Sequence, residues 1–175
     1  LFEKFKKLKV LIIGEPILDK FVTCQPLNIS SKNPIVSVEK LSEETQYGGT
    51  LAVAANVAAL GCDVTLVMYT TEKATMNMIN KHMDLCDVNV IFAPSDICQL
   101  PTKTRFISNY KNQKMFEVSE IKSAETFNLD LSDLTKEVKV QAQKSDIVIG
   151  LNYGHGMWSN SSFETHSIKI SALNF

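Results

Sequence analysis

The sequence predicts an α/β protein built on a parallel sheet with a second, smaller sheet beside it, and three observations carry that expectation. Short runs that are apolar on both faces recur at 9–14, 63–69, 88–92 and 146–151, as strands covered on both sides require. Stretches of helical character at 50–60, 71–85 and 129–144 alternate with them. Between these lie extended segments at 21–24, 34–41 and 103–120, and the alternation in 34–41 marks a strand with one wet face, which belongs to a separate small sheet.

Lys9-Val10-Leu11-Ile12-Ile13-Gly14 is an apolar run ended by glycine, the pattern of a buried central strand. Phe21 to Cys24 and Pro34 to Leu41 read as short extended pieces; in the second, Val36 and Val38 alternate with Ser37 and Glu39. Gly48-Gly49 opens an alanine-rich helix that Gly61 closes as a C′ glycine, and its small side chains allow close packing on a sheet. Asp63 to Tyr69 is the next strand. Met76, Ile79 and Met83 stand at helical spacing within 71–85, and Val88 to Phe92 is again a strand. Thr104 to Tyr110 and Lys114 to Val118, with a turn at Lys111-Asn112, predict a hairpin. Leu129 to Lys144 follows as a helix with Ser132 as N-cap, then the strand Asp146 to Leu151 and the loop Asn152-Tyr153-Gly154-His155-Gly156. A last helix is expected over about 161–170, and an apolar run starts at Ala172.

The chain has 175 residues, 45% hydrophobic and 21% charged, which is the composition of a folded domain. A net charge of −1 leaves no global basic field to attract nucleic acid or an anionic membrane. No apolar run approaches the roughly 20 residues that cross a bilayer, and Val10 to Ile13 is too short for a secretory leader. Cys24, Cys62, Cys86 and Cys98 are scattered without a CxxC or Cys/His metal pattern, and Cys24 and Cys62 read as small buried hydrophobes. The expectation is a reduced, cytoplasmic setting. A start at Leu1 rather than Met points to a piece of something longer.

Ligands of open α/β sheets bind beyond the carboxyl ends of the strands, so the residues that follow each strand are the candidates. After the first come Glu15 and Asp19, which suit sugar hydroxyls but read equally as a solvated loop carboxylate and a helix cap. Gly48 and Gly49 expose backbone N–H groups at a helix start, or simply allow a tight turn. Lys103 and Arg105 alternate on one strand and share a face, fit either to hold a phosphate or to be solvated on an edge. Tyr153 and His155 follow the last buried strand. No Walker A motif, GxGxxG, GxSxG or zinc signature is present, and Gly14-Glu15-Pro16 argues against a dinucleotide loop.

Taken in order, Val10 to Asp19, Asn33 to Glu39, Gly48-Gly49 with Ala59-Leu60-Gly61, Pro101-Thr102-Lys103-Thr104-Arg105 and Asp146 to Gly156 resemble the PfkB/ribokinase family, nearest its heptose-phosphate kinase branch. The resemblance covers nearly the whole chain. It implies a ribokinase-like three-layer parallel sheet with a small β lid, truncated after the front half. Residues 1–175 would be the N-terminal, sugar-binding part of one domain, with lid segments at about 20–42 and 102–119. By position, Asp19 would hold sugar hydroxyls, Gly48 and Gly49 would line the pocket, and Lys103 and Arg105 would face the substrate or its phosphate. Glu15, Asn56, Tyr153 and His155 are further candidates.

The resemblance also implies a sugar or sugar-phosphate acceptor, ATP with Mg in the intact protein, and a homodimer through the lid. The family's catalytic aspartate sits in a GxGD motif that none of the seven glycines here supplies, so no catalytic residue, nucleotide site or metal site is expected within this chain. Ala52 in place of the asparagine after Gly-Gly, Asn152 for an acid, His155 for a lysine, and Phe116-Glu117-Val118 for Arg-x-Asp depart from the pattern. They leave a non-catalytic sugar-binding or dimerisation module as the alternative.

Overall fold

A computed structural model describes residues 5–6, 8–27, 35–69, 73–93, 100–121, 132–155, 157 and 171–174. The main sheet has five strands, all parallel, in the order β5-β4-β1-β8-β9. They are β1 (Lys9–Gly14), β4 (Asp63–Tyr69), β5 (Val88–Ala93), β8 (Ile147–Asn152) and β9 (Ser171–Asn174). Among the described residues three helices accompany them: α1 (Thr50–Ala59), α2 (Lys73–Asp84) and α3 (Ser132–Ala142). With right-handed crossovers, α1 and α2 fall on one face and α3, which leads back to β8, on the other.

β1 is central because both of its faces are apolar: Leu11, Ile12 and Ile13 are fully buried. Each such side chain contributes about 1.5–3 kcal/mol relative to exposure. Leu66 and Met68 from β4, Ile79 and Met83 from α2, and Leu134 and Val138 from α3 complete the same core. At the amino end of the sheet, the Lys9 N–H donates to Asp146 Oδ2 and the Asp146 N–H to the Lys9 carbonyl, both at 2.8 Å, which sets β8 in register beside β1. Gly61 closes α1 at φ 93°, its N–H donating to the Ala58 carbonyl, as its position in the sequence predicts.

The second sheet has the order β3-β2-β6-β7. It consists of β2 (Pro16–Pro26), β3 (Val38–Gly49), β6 (Thr102–Ser108) and β7 (Lys114–Glu120). β2 pairs antiparallel with β3 and parallel with β6, and β6 pairs antiparallel with β7. Lys111 and Asn112, at φ 55° and 50°, make the β6–β7 turn at the place the sequence marks.

Several expectations need correction. The extended segment at 21–24, and residues 38–41 of the segment expected at 34–41, are parts of strands 11 and 12 residues long, because cross-strand pairing carries the ladder through polar positions that show no alternation. Asp19 therefore lies within a strand rather than in a loop. β6 is an interior strand, not an edge. Ser132 is the first residue of α3 rather than its cap. Cys24 is buried, but Cys62 is only half-buried. The helix expected at 161–170, Asn33-Pro34, Cys98 and Gly156 lie outside the described residues. Among the described residues, no helix is long and apolar enough to cross a membrane.

Candidate functional site

β1 ends at Gly14, and a single residue, Glu15, separates it from β2. Gly14 is needed there: a Cβ would lie 2.4 Å from the Leu151 carbonyl oxygen and 2.5 Å from the Thr50 methyl. Glu15 is completely buried. Its carboxylate receives three backbone N–H groups from the loop after β8, Tyr153 at 2.6 Å on Oε2 and His155 and Met157 at 2.9 Å on Oε1. A buried carboxylate is tolerated only when so satisfied. Its main-chain carbonyl in turn accepts from the Thr50 N–H at 3.2 Å, at the start of α1. Glu15, a candidate for hydroxyl binding, thus joins β1, α1 and the β8 loop.

The paired glycines close the same corner. Gly49 is the N-cap of α1 at φ 59°, ψ −134°, a region that glycine alone occupies readily. A Cβ on it would lie 2.4 Å from the Glu15 carbonyl oxygen. Pro16 pairs with Gly49 and Ile17 with Gly48, so both glycines sit across from the start of β2. A Cβ on Gly48 would lie 2.6 Å from Asp19 Oδ2, so the absence of a side chain there makes room for that carboxylate. Asp19 and the Gly-Gly pair are on one side of the molecule.

Strand register gathers the remaining residues. Asp19 stands beside Lys103 and Phe21 beside Arg105 across the β2–β6 pair, and Arg105 faces Glu117 and Lys103 faces Ser119 across β6–β7. Because neighbours in register share a face, these side chains lie together. Arg105 Nη1 donates to Asp19 Oδ1 at 2.5 Å, and its Nε meets Glu117 Oε2 at 2.9 Å. The guanidinium stands 5.4 Å from the centre of the Phe21 ring. The hydrogen bond that Arg105 donates to Asp19 raises the guanidinium pKa still further, aided by the charges of both carboxylates. Ser119 Oγ donates to Glu117 Oε1 at 2.9 Å; that bond, with the charges of Arg105 and Lys103, holds the Glu117 carboxyl below its ordinary range. Asp19 Oδ2 receives no hydrogen bond from a described residue, and Lys103 has no ion-pair partner among them.

His155 is half-buried; burial lowers its imidazole pKa from 6.5, the charge of Lys103 lowers it as well, and Glu15 opposes both. Burial also raises the Tyr153 phenol, with Glu15 adding to the effect. Asn152 Oδ1 accepts from the Gly154 N–H at 2.9 Å and shapes the turn. Asn56 is exposed on α1, its amide donating to the Ala52 carbonyl at 2.9 Å, and the structure does not bring it to Asp19. Three residues near this corner escaped the sequence reading. Glu117 was visible only as a departure from a family motif. Tyr69, buried at the end of β4, feels the Glu15 charge. Thr50 is fully buried, with an Oγ1 that finds no hydrogen-bond partner. Among the described residues, no group of three or more His, Cys, Asp or Glu side chains is placed to hold a metal.

No family model matches the chain. Its sequence is similar to proteins named "Bifunctional protein HldE". The one from Chromohalobacter salexigens is 27% identical over 151 residues, covering 86% of this chain and 31% of that protein. The one from Pseudomonas aeruginosa strain LESB58 is 25% identical over 169 residues, covering 97% and 34%. The chain thus spans about a third of the length of the curated relatives it matches. Among solved structures, a carbohydrate kinase from Agrobacterium tumefaciens superposes with a TM-score of 0.57 at 13% identity, covering 82% of this chain and 45% of that one. Arabidopsis thaliana ribokinase, complexed with ribose and ATP, gives 0.53 at 16%, covering 82% and 45%. The fold is ribokinase-like, and the resemblance drawn from the ordered motifs holds.

Proposed function

We propose that this chain, ribokinase-like in fold and related to the HldE proteins, is the acceptor-binding portion of an ATP-dependent sugar or sugar-phosphate kinase. One observation carries the reading: Asp19 keeps one carboxylate oxygen on Arg105 and leaves Oδ2 open above Gly48, beside Lys103. An ionised carboxylate with a free oxygen next to an ammonium group suits the alternating acceptor and donor demands of neighbouring hydroxyls.

In this reading Asp19, Lys103 and Arg105 contact the acceptor, and Gly48 and Gly49 give it room. Tyr153 and His155 border it on the loop that Glu15 holds. Residues 1–175 are then the N-terminal, sugar-binding part of one domain, with β2, β3, β6 and β7 supplying the lid expected at about 20–42 and 102–119. Phosphoryl transfer is mainly positioning and charge stabilisation around the nucleotide, and the described residues offer no metal-binding group for it. ATP and Mg would act in the intact protein, in a cytoplasmic setting that the free thiols of Cys24, Cys62 and Cys86 suit.

The lid face opposite Asp19 carries Phe106 stacked on Phe116 at 4.5 Å between ring centres. Phe116 and Val118 are 46% and 47% exposed there, which favours a homodimer through that face. A non-catalytic sugar-binding or dimerisation module is the second reading, favoured by Asn152 and His155 standing where the family has an acid and a lysine. Calorimetry against a panel of sugars and sugar phosphates, with and without ATP, tests both. Sugar-dependent ATP turnover by the longer protein that contains this segment supports the kinase, binding without turnover supports the module, and no binding at all removes both.

A further inference from the structure

The lid face that bears Asp19 holds more negative than positive charge. Register places Asp19, Glu39, Glu44 and Glu117 on it as carboxylates, against Lys103, Arg105 and Lys114 as cations. Arg105, the residue best suited to a phosphate, is engaged by two of those carboxylates and lies over the Phe21 ring. Glu117 is itself fixed by Ser119, so it is a built partner for the guanidinium rather than a passing one.

A phosphate monoester carries a charge of roughly −1.5 to −2 near neutral pH. Seating it here means detaching Arg105 from Asp19 and Glu117 and leaving both carboxylates beside the incoming anion. A neutral polyol asks for no such exchange. It meets Asp19 Oδ2 as an acceptor and the Lys103 ammonium as a donor while the Arg105 bridge stays intact.

We infer that this site selects an unphosphorylated, polyhydroxylated acceptor over its phosphate ester, and that Glu117 is the specificity-determining residue, acting by keeping the Arg105 guanidinium committed to its carboxylate bridge rather than to a ligand phosphate. The inference rests on the reading of this face as the acceptor site and narrows the substrate class from sugar or sugar phosphate to sugar.

The test is calorimetric titration of the 175-residue chain and its Glu117→Gln variant at pH 7.5. The probes are inorganic phosphate, a set of hexoses and heptoses, and the phosphate monoesters of the same sugars. Glu117 is on the solvent side of β7 with 39% of its side chain exposed, so the variant is expected to fold, and its thermal melt checks that. Ser119→Ala, which loosens Glu117 without removing its charge, gives a second variant.

The wild type is expected to bind at least one sugar about tenfold or more tighter than that sugar's phosphate. Glu117→Gln should narrow the gap by about tenfold and strengthen inorganic phosphate binding by a similar factor, with Ser119→Ala shifting both in the same direction by less. A wild type that prefers the phosphate ester, or a Glu117→Gln variant with an unchanged ratio, overturns the inference. If no sugar of either kind binds any form, the acceptor-site reading itself fails. The phosphate arm then decides the charge argument alone: a gain in Glu117→Gln sustains it and no gain overturns it.

Discussion

Glu15→Gln isolates the role of the buried carboxylate, because it preserves shape and removes charge. Three N–H groups converge on the two oxygens, two on Oε1 and one on Oε2. The amide retains one acceptor atom, and its best placement puts that oxygen on the side facing His155 and Met157. The NH2 group then opposes the Tyr153 N–H. One buried donor is orphaned, at about 1–3 kcal/mol, and two hydrogen bonds lose their charge assistance, at about 0.5–1 kcal/mol each. The sum is about 2–5 kcal/mol. For a chain of this size that corresponds to a melting temperature lower by on the order of 10 °C. Circular dichroism melts measure the stability, and amide exchange locates it: protection at Tyr153, His155 and Met157 should fall first in the variant. A melting temperature unchanged within about 1 °C, with those three amides still protected, would refute the idea that Glu15 anchors the loop.

Four further expectations are open to direct measurement. Gly48→Ala should leave stability within about 1 kcal/mol, since the added methyl meets the end of the Asp19 side chain rather than backbone, yet weaken sugar binding about tenfold by calorimetry. Gly49→Ala adds a methyl against the Glu15 carbonyl and forces alanine to a positive φ; urea denaturation should show a loss of about 3 kcal/mol. His155 has a folded pKa below its unfolded value, so its contribution is present above about pH 6.5 and is lost as pH falls through the folded pKa. The fall in melting temperature below about pH 6.5 should be shallower in His155→Gln, and an equal slope in both proteins contradicts the assignment. Phe116→Glu should shift a homodimer to monomer in sedimentation velocity while leaving sugar affinity unchanged, because that side chain is on the face away from Asp19.

The main sheet was legible because its strands are buried on both sides: Leu11, Ile12 and Ile13 in succession leave few alternatives to a central strand. Gly61, the hairpin turn at Lys111-Asn112 and the shared face of Lys103 and Arg105 were legible for equally local reasons, a positive φ or a period of two. The lengths of β2 and β3 were not. Glu39, Lys40, Glu43 and Glu44 are polar on both faces, and only pairing with β2 makes the segment a strand. Asp19 could be named from the sequence, but its division between Arg105 and an open oxygen could not, since its partner is 86 positions away. Glu15 shows the same limit more sharply. Its neighbours Gly14 and Pro16 suggest a turn, and nothing nearby discloses that its ligands are amides near residue 155.

That separation has a consequence for how the protein is made. The amides that neutralise Glu15 lie between 138 and 142 positions downstream. At roughly 5–20 residues per second, the ribosome delivers them about 7–28 s after Glu15 itself. Until then, burying the carboxyl end of β1 would strand a bare negative charge in an apolar setting. The nascent chain must therefore keep that corner hydrated, or in the care of a chaperone, and the carboxyl end of β1 is sealed only once the loop after β8 has emerged.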